Sequence, residues 1–169
     1  MTDTPLTFTQ VESAVRKKTF AVLTTIGPEG RPHSTGVLYG IAPPSSPFAL
    51  FVLTLETYVK VRNVRANPTA SLAVTFPHRI MSFVPASCAT FHGRIDVVPI
   101  DDPDGLWAFD QHRILRDNMA SLDGGTGHAV FLKLVPEPKV LCYGLGIGLR
   151  EMRKHREQLG YSVSIDRTA

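Results

Sequence analysis

Only two of the 169 residues are cysteine and one is tryptophan. Cys88 and Cys142 each sit in an apolar segment with no CxxC pair, which excludes a disulfide framework and fits a reducing compartment. No stretch approaches the roughly 20 apolar residues of a membrane span, and the opening MTDTPLTFTQ lacks the basic-then-apolar order of a leader peptide. A soluble, cytoplasmic protein is expected, with no membrane partner. Charge of either sign is also sparse: charged residues make up 20% of the chain, the net charge is +3 and the pI about 9.0. The densest basic group, LREMRKHREQ, also carries Glu151 and Glu157, so it reads as a solvated helix and no nucleic-acid partner is expected.

Signatures of metal and nucleophile chemistry are absent as well. His33, His78, His92, His112, His128 and His155 have neither HxxxH nor HExxH spacing, so no metal site is expected. There is no GxSxG elbow. Asp101, Asp102 and Asp104 flank Pro103, which reads as a helix start rather than a carboxylate pair. No side chain is picked out as a catalytic acid, base or nucleophile.

Turn residues are plentiful, with 13 Gly and 13 Pro, and the pattern between them is mainly β (α+β). Thr9 and Glu12 have capping-box spacing, which predicts a helix over about 9 to 18. FAVLTTIGPEGRPHSTGVLYGI reads as an antiparallel hairpin with His33, Thr35, Val37, Tyr39 and Ile41 on one face. FALFVLT (48 to 54) is apolar throughout, like a strand buried on both sides. A short helix from Thr57 to before Pro68 follows, then strands TASLAVT (69 to 75) and SCATFHGRIDVV (87 to 98), where Gly93 marks a bulge or a close backbone approach.

Asp102 and Pro103 start a further helix whose stripe is Leu106, Phe109, Ile114 and Leu115, and SLDGGTGH reads as a loop. AVFLKLV and KVLCY read as two strands separated by PEP, and a polar helix closes the chain over about 149 to 159. One domain is expected over 1–169, with 145–169 as a C-terminal helical extension. Mostly turn-length connections favour an antiparallel barrel over a doubly wound sheet. A barrel this small fills its own interior, so a sizeable ligand belongs in an outer groove or at a subunit interface.

Two stretches bear on ligand binding. In LTLETYVKVRNVRANP, Lys60 stands at the third helical position if Thr57 is the N-cap, where a cation opposes the helix dipole at a cost of about 0.3–1 kcal/mol. A bound anion would reverse that sign. The alternative is that Glu56 compensates the dipole and Lys60 points into water. In GRPHSTGVLYG, Ser34, Thr35 and Gly36 offer hydroxyls and an uncovered backbone in mid-strand, or simply the polar face of a hairpin. The C-terminal VLCYGLGIGLREMRKHREQLGYSVSID imitates a dinucleotide-binding βαβ unit, but Leu149 or Glu151 stands where the third glycine belongs.

Taken together, FAVLTTIGPEGRPHSTGVLYGI, FVLTLETYVKVRNVRANPTASLAVTFP and ATFHGRIDVV resemble the pyridoxamine 5′-phosphate oxidase-like family in order and spacing, over about residues 10 to 98. The resemblance implies a six-stranded antiparallel split β-barrel with flanking helices, a homodimer, and a flavin-type cofactor in each of two interface grooves. On it, Arg31, Pro32, His33, Ser34, Thr35, Gly36 and Val37 look like the strand whose backbone lines the flavin ring. Lys60 looks like the phosphate-binding lysine, with Thr54, Thr57 and Tyr58 beside it. Many FMN-binding members carry Arg directly before that lysine, where this chain has Val59. The implied function is an FMN- or deazaflavin-dependent oxidoreductase acting on a small organic molecule; the alternative is a non-catalytic split barrel that binds haem or another ligand.

Overall fold

The computed structural model describes residues 6–77, 85–122, 128–148 and 159–166. Along them run α1 (Phe8–Arg16), β1 (Phe20–Ile26), β2 (Pro32–Ile41), β3 (Leu50–Leu55), α2 (Val59–Ala66) and β4 (Thr69–Phe76), followed by β5 (Ser87–Pro99), α3 (Pro103–Asp110), α4 (Arg113–Leu122), β6 (Ala129–Tyr143) and β7 (Gly160–Ser164). Neighbouring strands are ordered β3-β2-β1-β4-β5-β6, and β6 pairs back onto β3, which closes a six-stranded antiparallel barrel with β7 added outside on β6. No helix among the described residues is long and apolar enough to cross a membrane.

Alternation along the strands fills the barrel. Ala21, Leu23 and Thr25 of β1 point inward and meet Val37, Tyr39 and Ile41 of β2, Leu50 and Val52 of β3, and Leu72, Phe91 and Leu134. Helix α1 covers one end with Phe8, Val11 and Val15, each buried side chain contributing roughly 1.5–3 kcal/mol. Tyr39 locks it in place by donating its hydroxyl to the Val15 carbonyl at 2.6 Å. Helix α2 covers the other end with Val61 and Val64, and its buried Asn63 donates to the Thr25 hydroxyl at 3.1 Å. Outside the wall, Phe51 and Phe131 turn away from the barrel to meet Phe109 and Leu115 of α3 and α4, so β3 is buried on both sides as its composition predicts.

Several local expectations hold. The hairpin forms as expected, with Thr25 opposite His33 and Leu23 opposite Thr35. Gly93 lies at a register shift between β5 and β6, and a Cβ there would come within 2.2 Å of the Val135 carbonyl oxygen. Asp102 caps α3 by accepting from the Gly105 amide at 2.9 Å, with Pro103 in the first turn.

Others are corrected. The cap of α1 is Thr7 with Gln10, not Thr9 with Glu12; this register buries Phe8 and frees Glu12 to pair with Arg16 at 2.7 Å. Tyr58, not Thr57, precedes α2, so Lys60 is its second residue. The single helix expected after Pro103 is broken into α3 and α4 at His112, whose carbonyl accepts from Leu115 and Arg116 and whose Nε2 is bonded to the Arg16 carbonyl oxygen. Leu106 and Ile114 are left exposed by the break, while Phe109 and Leu115 are buried.

The two strands expected around PEP are one, because Pro136 and Pro138 fall at the β5 register shift, where missing amide donors are tolerated. The closing helix expected over 149 to 159 lies outside the described residues except for Leu159. Strand β7 runs antiparallel to β6, which excludes the parallel unit that a dinucleotide motif requires.

Candidate functional site

Strands β2 and β3 are paired only from Tyr39 opposite Val52 to Ile41 opposite Leu50. Beyond Tyr39 and Val52 they part, and a groove of about 200 Å³ opens on the outside of the barrel. Gly36, Val37 and Leu38 of β2 form one side, Leu53, Thr54 and Leu55 of β3 the other. Tyr58 and Lys60 stand at one end, where α2 begins, and Asn118 and Leu122 close it from α4.

The electrostatics of this groove centre on Lys60. Its ammonium group donates to the Thr54 hydroxyl at 3.4 Å and lies 4.8 Å from the centre of the Tyr58 ring. Neither partner is an anion, and burial lowers the Lys60 pKa below the ordinary lysine value. Its helix neighbour Arg65 instead has a carboxylate, bonding Glu56 and holding that acid below its usual range. Glu56 is therefore committed to Arg65, and Lys60 turns into the groove without an acid partner among the described residues. A half-buried cation backed by a hydroxyl and walled by leucines is suited to an anionic group attached to an apolar body.

The groove brings together Gly36, Val37, Thr54, Tyr58 and Lys60. Thr57 lies in the exposed turn before α2, outside the lining, and Arg31, Pro32 and Ser34 are exposed along the start of β2, with Arg31 3.3 Å from Glu29. His33 and Thr35 point to the inner side of β2, where His33 Nδ1 and Thr35 Oγ1 are buried without a hydrogen-bond partner. Gly36 does face outward, but a Cβ there would lie 2.9 Å from the ring of Phe20 on β1, so the missing side chain makes room for that ring. Asn118 and Leu122 were absent from the sequence reading. Their signal is the spacing on α4, three and seven residues beyond the buried Leu115 on the same helix side.

A second cavity, of about 230 Å³, is lined by Arg16, Lys18, Tyr39, Trp107, Gln111 and His112 among others. Its arginine is already satisfied by Glu12 and by the carbonyl oxygens of Ile41 and Ala42, so it ties α1 to the barrel rather than awaiting a ligand. Among the described residues no three His, Cys, Asp or Glu side chains are grouped to hold a metal.

The fold has relatives of known structure. The haem storage protein HutZ from Vibrio cholerae matches with a TM-score of 0.65 at 18% identity, over 84% of this chain and 99% of its own. A haem-binding protein from Mycobacterium smegmatis gives 0.70 at 17%, over 95% of this chain and 59% of its own. An FAD-binding protein from Mesorhizobium loti gives 0.58 at 17%, over 78% and 89%. No curated protein matches the chain. At such identities these likenesses concern the fold, whereas the family model for pyridoxamine 5′-phosphate oxidase matches the sequence itself across residues 8–122, from α1 through α4. The chain therefore belongs to the pyridoxamine 5′-phosphate oxidase-like family of split β-barrels.

Proposed function

We propose that this protein is a homodimeric oxidoreductase that uses FMN or a deazaflavin to act on a small organic molecule. The observation that carries the reading is Lys60, a partly buried cation with a hydroxyl and a ring beside it but no acid. A cofactor phosphate supplies the missing anion, and Leu38, Leu53 and Leu55 give an apolar wall for what the phosphate is attached to. A bound flavin supplies the hydride or electron transfer itself. The residues of the chain hold the phosphate, keep water from the groove and leave a parted strand edge for hydrogen bonds to the ring.

Two further features support a second copy. The groove of one chain, about 200 Å³, is smaller than the roughly 300–1,000 Å³ of pockets that enclose a whole ligand of this size. The outer face of the sheet also carries an uncharged row, Gly36, Val22, Ala73, Thr90, Leu141 and Ser162, that crosses six strands in register. Such a face suits an isologous contact between identical copies.

The test is an absorbance-monitored titration of purified protein with FMN, a deazaflavin and haem. Saturable uptake of one flavin type supports the reading and selects the cofactor. A Soret band without flavin uptake favours the second reading, a non-catalytic ligand-binding barrel, for which the fold likeness to haem-binding proteins speaks. Uptake of none of the three removes both.

A further inference from the structure

We propose that Asn118 is a third donor to the anion held at Lys60, so that a terminal phosphate is gripped by an ammonium from α2, a hydroxyl from β3 and a side-chain amide from α4. This rests on the phosphate reading of the groove and names a residue that reading does not include. Helix α4 packs Leu115 fully into the cluster of Phe51, Phe109 and Phe131, with Met119 against it. Asn118 lies on that same side and is half-buried. Its side-chain amide is not sealed among buried atoms but is open to the groove it lines.

Within the described residues the Asn118 side chain has no hydrogen-bond partner; the bond from Ser121 Oγ at 2.7 Å goes to its backbone carbonyl. It lines the same groove as Lys60 and Thr54, and no carboxylate does. A neutral amide cannot offset the lysine charge, but its NH2 group adds two hydrogens to a site already short of acceptors. The ligand that completes this set has several anionic oxygens pointing in different directions, as a phosphomonoester does.

The full-length protein and its Asn118→Ala and Asn118→Asp variants are titrated with FMN and with riboflavin, which lacks the phosphate. Asn118→Ala is expected to weaken FMN binding roughly 10-fold or more and to leave riboflavin unchanged. Asn118→Asp, which sets a carboxylate against the phosphate, is expected to weaken FMN further, again without touching riboflavin. Equal losses for both flavins, or no loss for either, would overturn the assignment, and an unaltered circular-dichroism melt separates these results from misfolding. If wild type takes up neither flavin, the cofactor reading fails by itself. The cradle is then decided by 31P line broadening of inorganic phosphate: broadening abolished by Asn118→Ala and by Lys60→Ala upholds it, and no broadening in wild type overturns it.

Discussion

The Lys60 ammonium donates to the Thr54 hydroxyl over 3.4 Å, bridging from the start of α2 to the end of β3 at the point where β3 has parted from β2. Thr54 is itself 4% exposed and faces the barrel side of its strand. The lysine is thereby drawn down off the helix surface, and its charge sits in a groove rather than in water. A cation so placed opposes the dipole of its own helix and is partly stripped of solvent, so both effects disfavour it until an anion arrives.

Lys60→Met separates stability from binding. With no ligand present the melting temperature of the variant does not fall below wild type, because the substitution keeps the packing and removes a desolvated charge. FMN binding weakens by about 1–3 kcal/mol, the value of a charge-assisted contact. Thermal melts with and without FMN check both signs; unchanged FMN affinity would sink the phosphate assignment.

The lowered pKa of Lys60 makes a pH prediction. A phosphate binds the charged ammonium, so from neutral pH, where the phosphate has lost its second proton (pKa about 6), affinity holds up to the folded-state pKa of Lys60 and declines as pH rises through it, a window lying below the ordinary lysine value. The unliganded stability moves the other way: between the lowered folded pKa and the unfolded one, the unfolded chain holds more protons, and this group's contribution to stability rises with pH. Lys60→Arg, whose guanidinium does not titrate in this range, keeps its FMN affinity across the window. FMN titrations from neutral to alkaline pH distinguish the two proteins, and parallel curves would exclude Lys60 as the titrating group.

The uncharged outer row gives a test of assembly. Leu141 is 48% exposed in the single chain and lies in the row between Thr90 and Ser162. A charge placed there costs the lone chain little, since the residue faces solvent, but a carboxylate buried against its own symmetry mate is strongly unfavourable. Light scattering after size exclusion is expected to give a dimer for wild type and a monomer for Leu141→Glu, with FMN affinity lost alongside. A Leu141→Glu dimer of wild-type strength would place the interface elsewhere.

What was legible in the sequence was local or periodic. The hairpin of β1 and β2 follows from alternation on either side of a short turn, the Asp102 cap from a residue type beside a proline, and the crowding at Gly93 from a glycine where a strand wants a side chain. The family resemblance pointed to Lys60 and Thr54, which the fold brings to one groove. What was not legible depends on contacts far apart in the chain. The barrel was expected, but not the pairing that closes it, Val52 with Leu132, nor the far wall of the groove, where Asn118 reaches β2 and β3 from α4. Short helices were misplaced by one or two positions because Thr7 and Thr9 offer near-equal caps, and the burial of Phe8 decides between them.

Gly36 and Gly93 look alike in the sequence, each a glycine in mid-strand, yet they should respond differently to alanine. At Gly93 a Cβ would sit 2.2 Å from the Val135 carbonyl oxygen and 2.7 Å from Pro136 Cα, backbone atoms held by the pairing of β5 with β6. Relief requires the strands to separate, so Gly93→Ala is expected to cost about 1–3 kcal/mol or more, lowering the melting temperature by about 2–4 °C per kcal/mol for a chain of this size. At Gly36 the obstacle is the tip of the Phe20 ring at 2.9 Å, and that ring is 55% exposed and free to turn outward. Gly36→Ala should therefore stay within about 1 kcal/mol of wild type. Thermal melts of the two variants decide it: equal losses would mean that Phe20 is held as firmly as the backbone, and that the face around it is already packed against something the single chain does not contain.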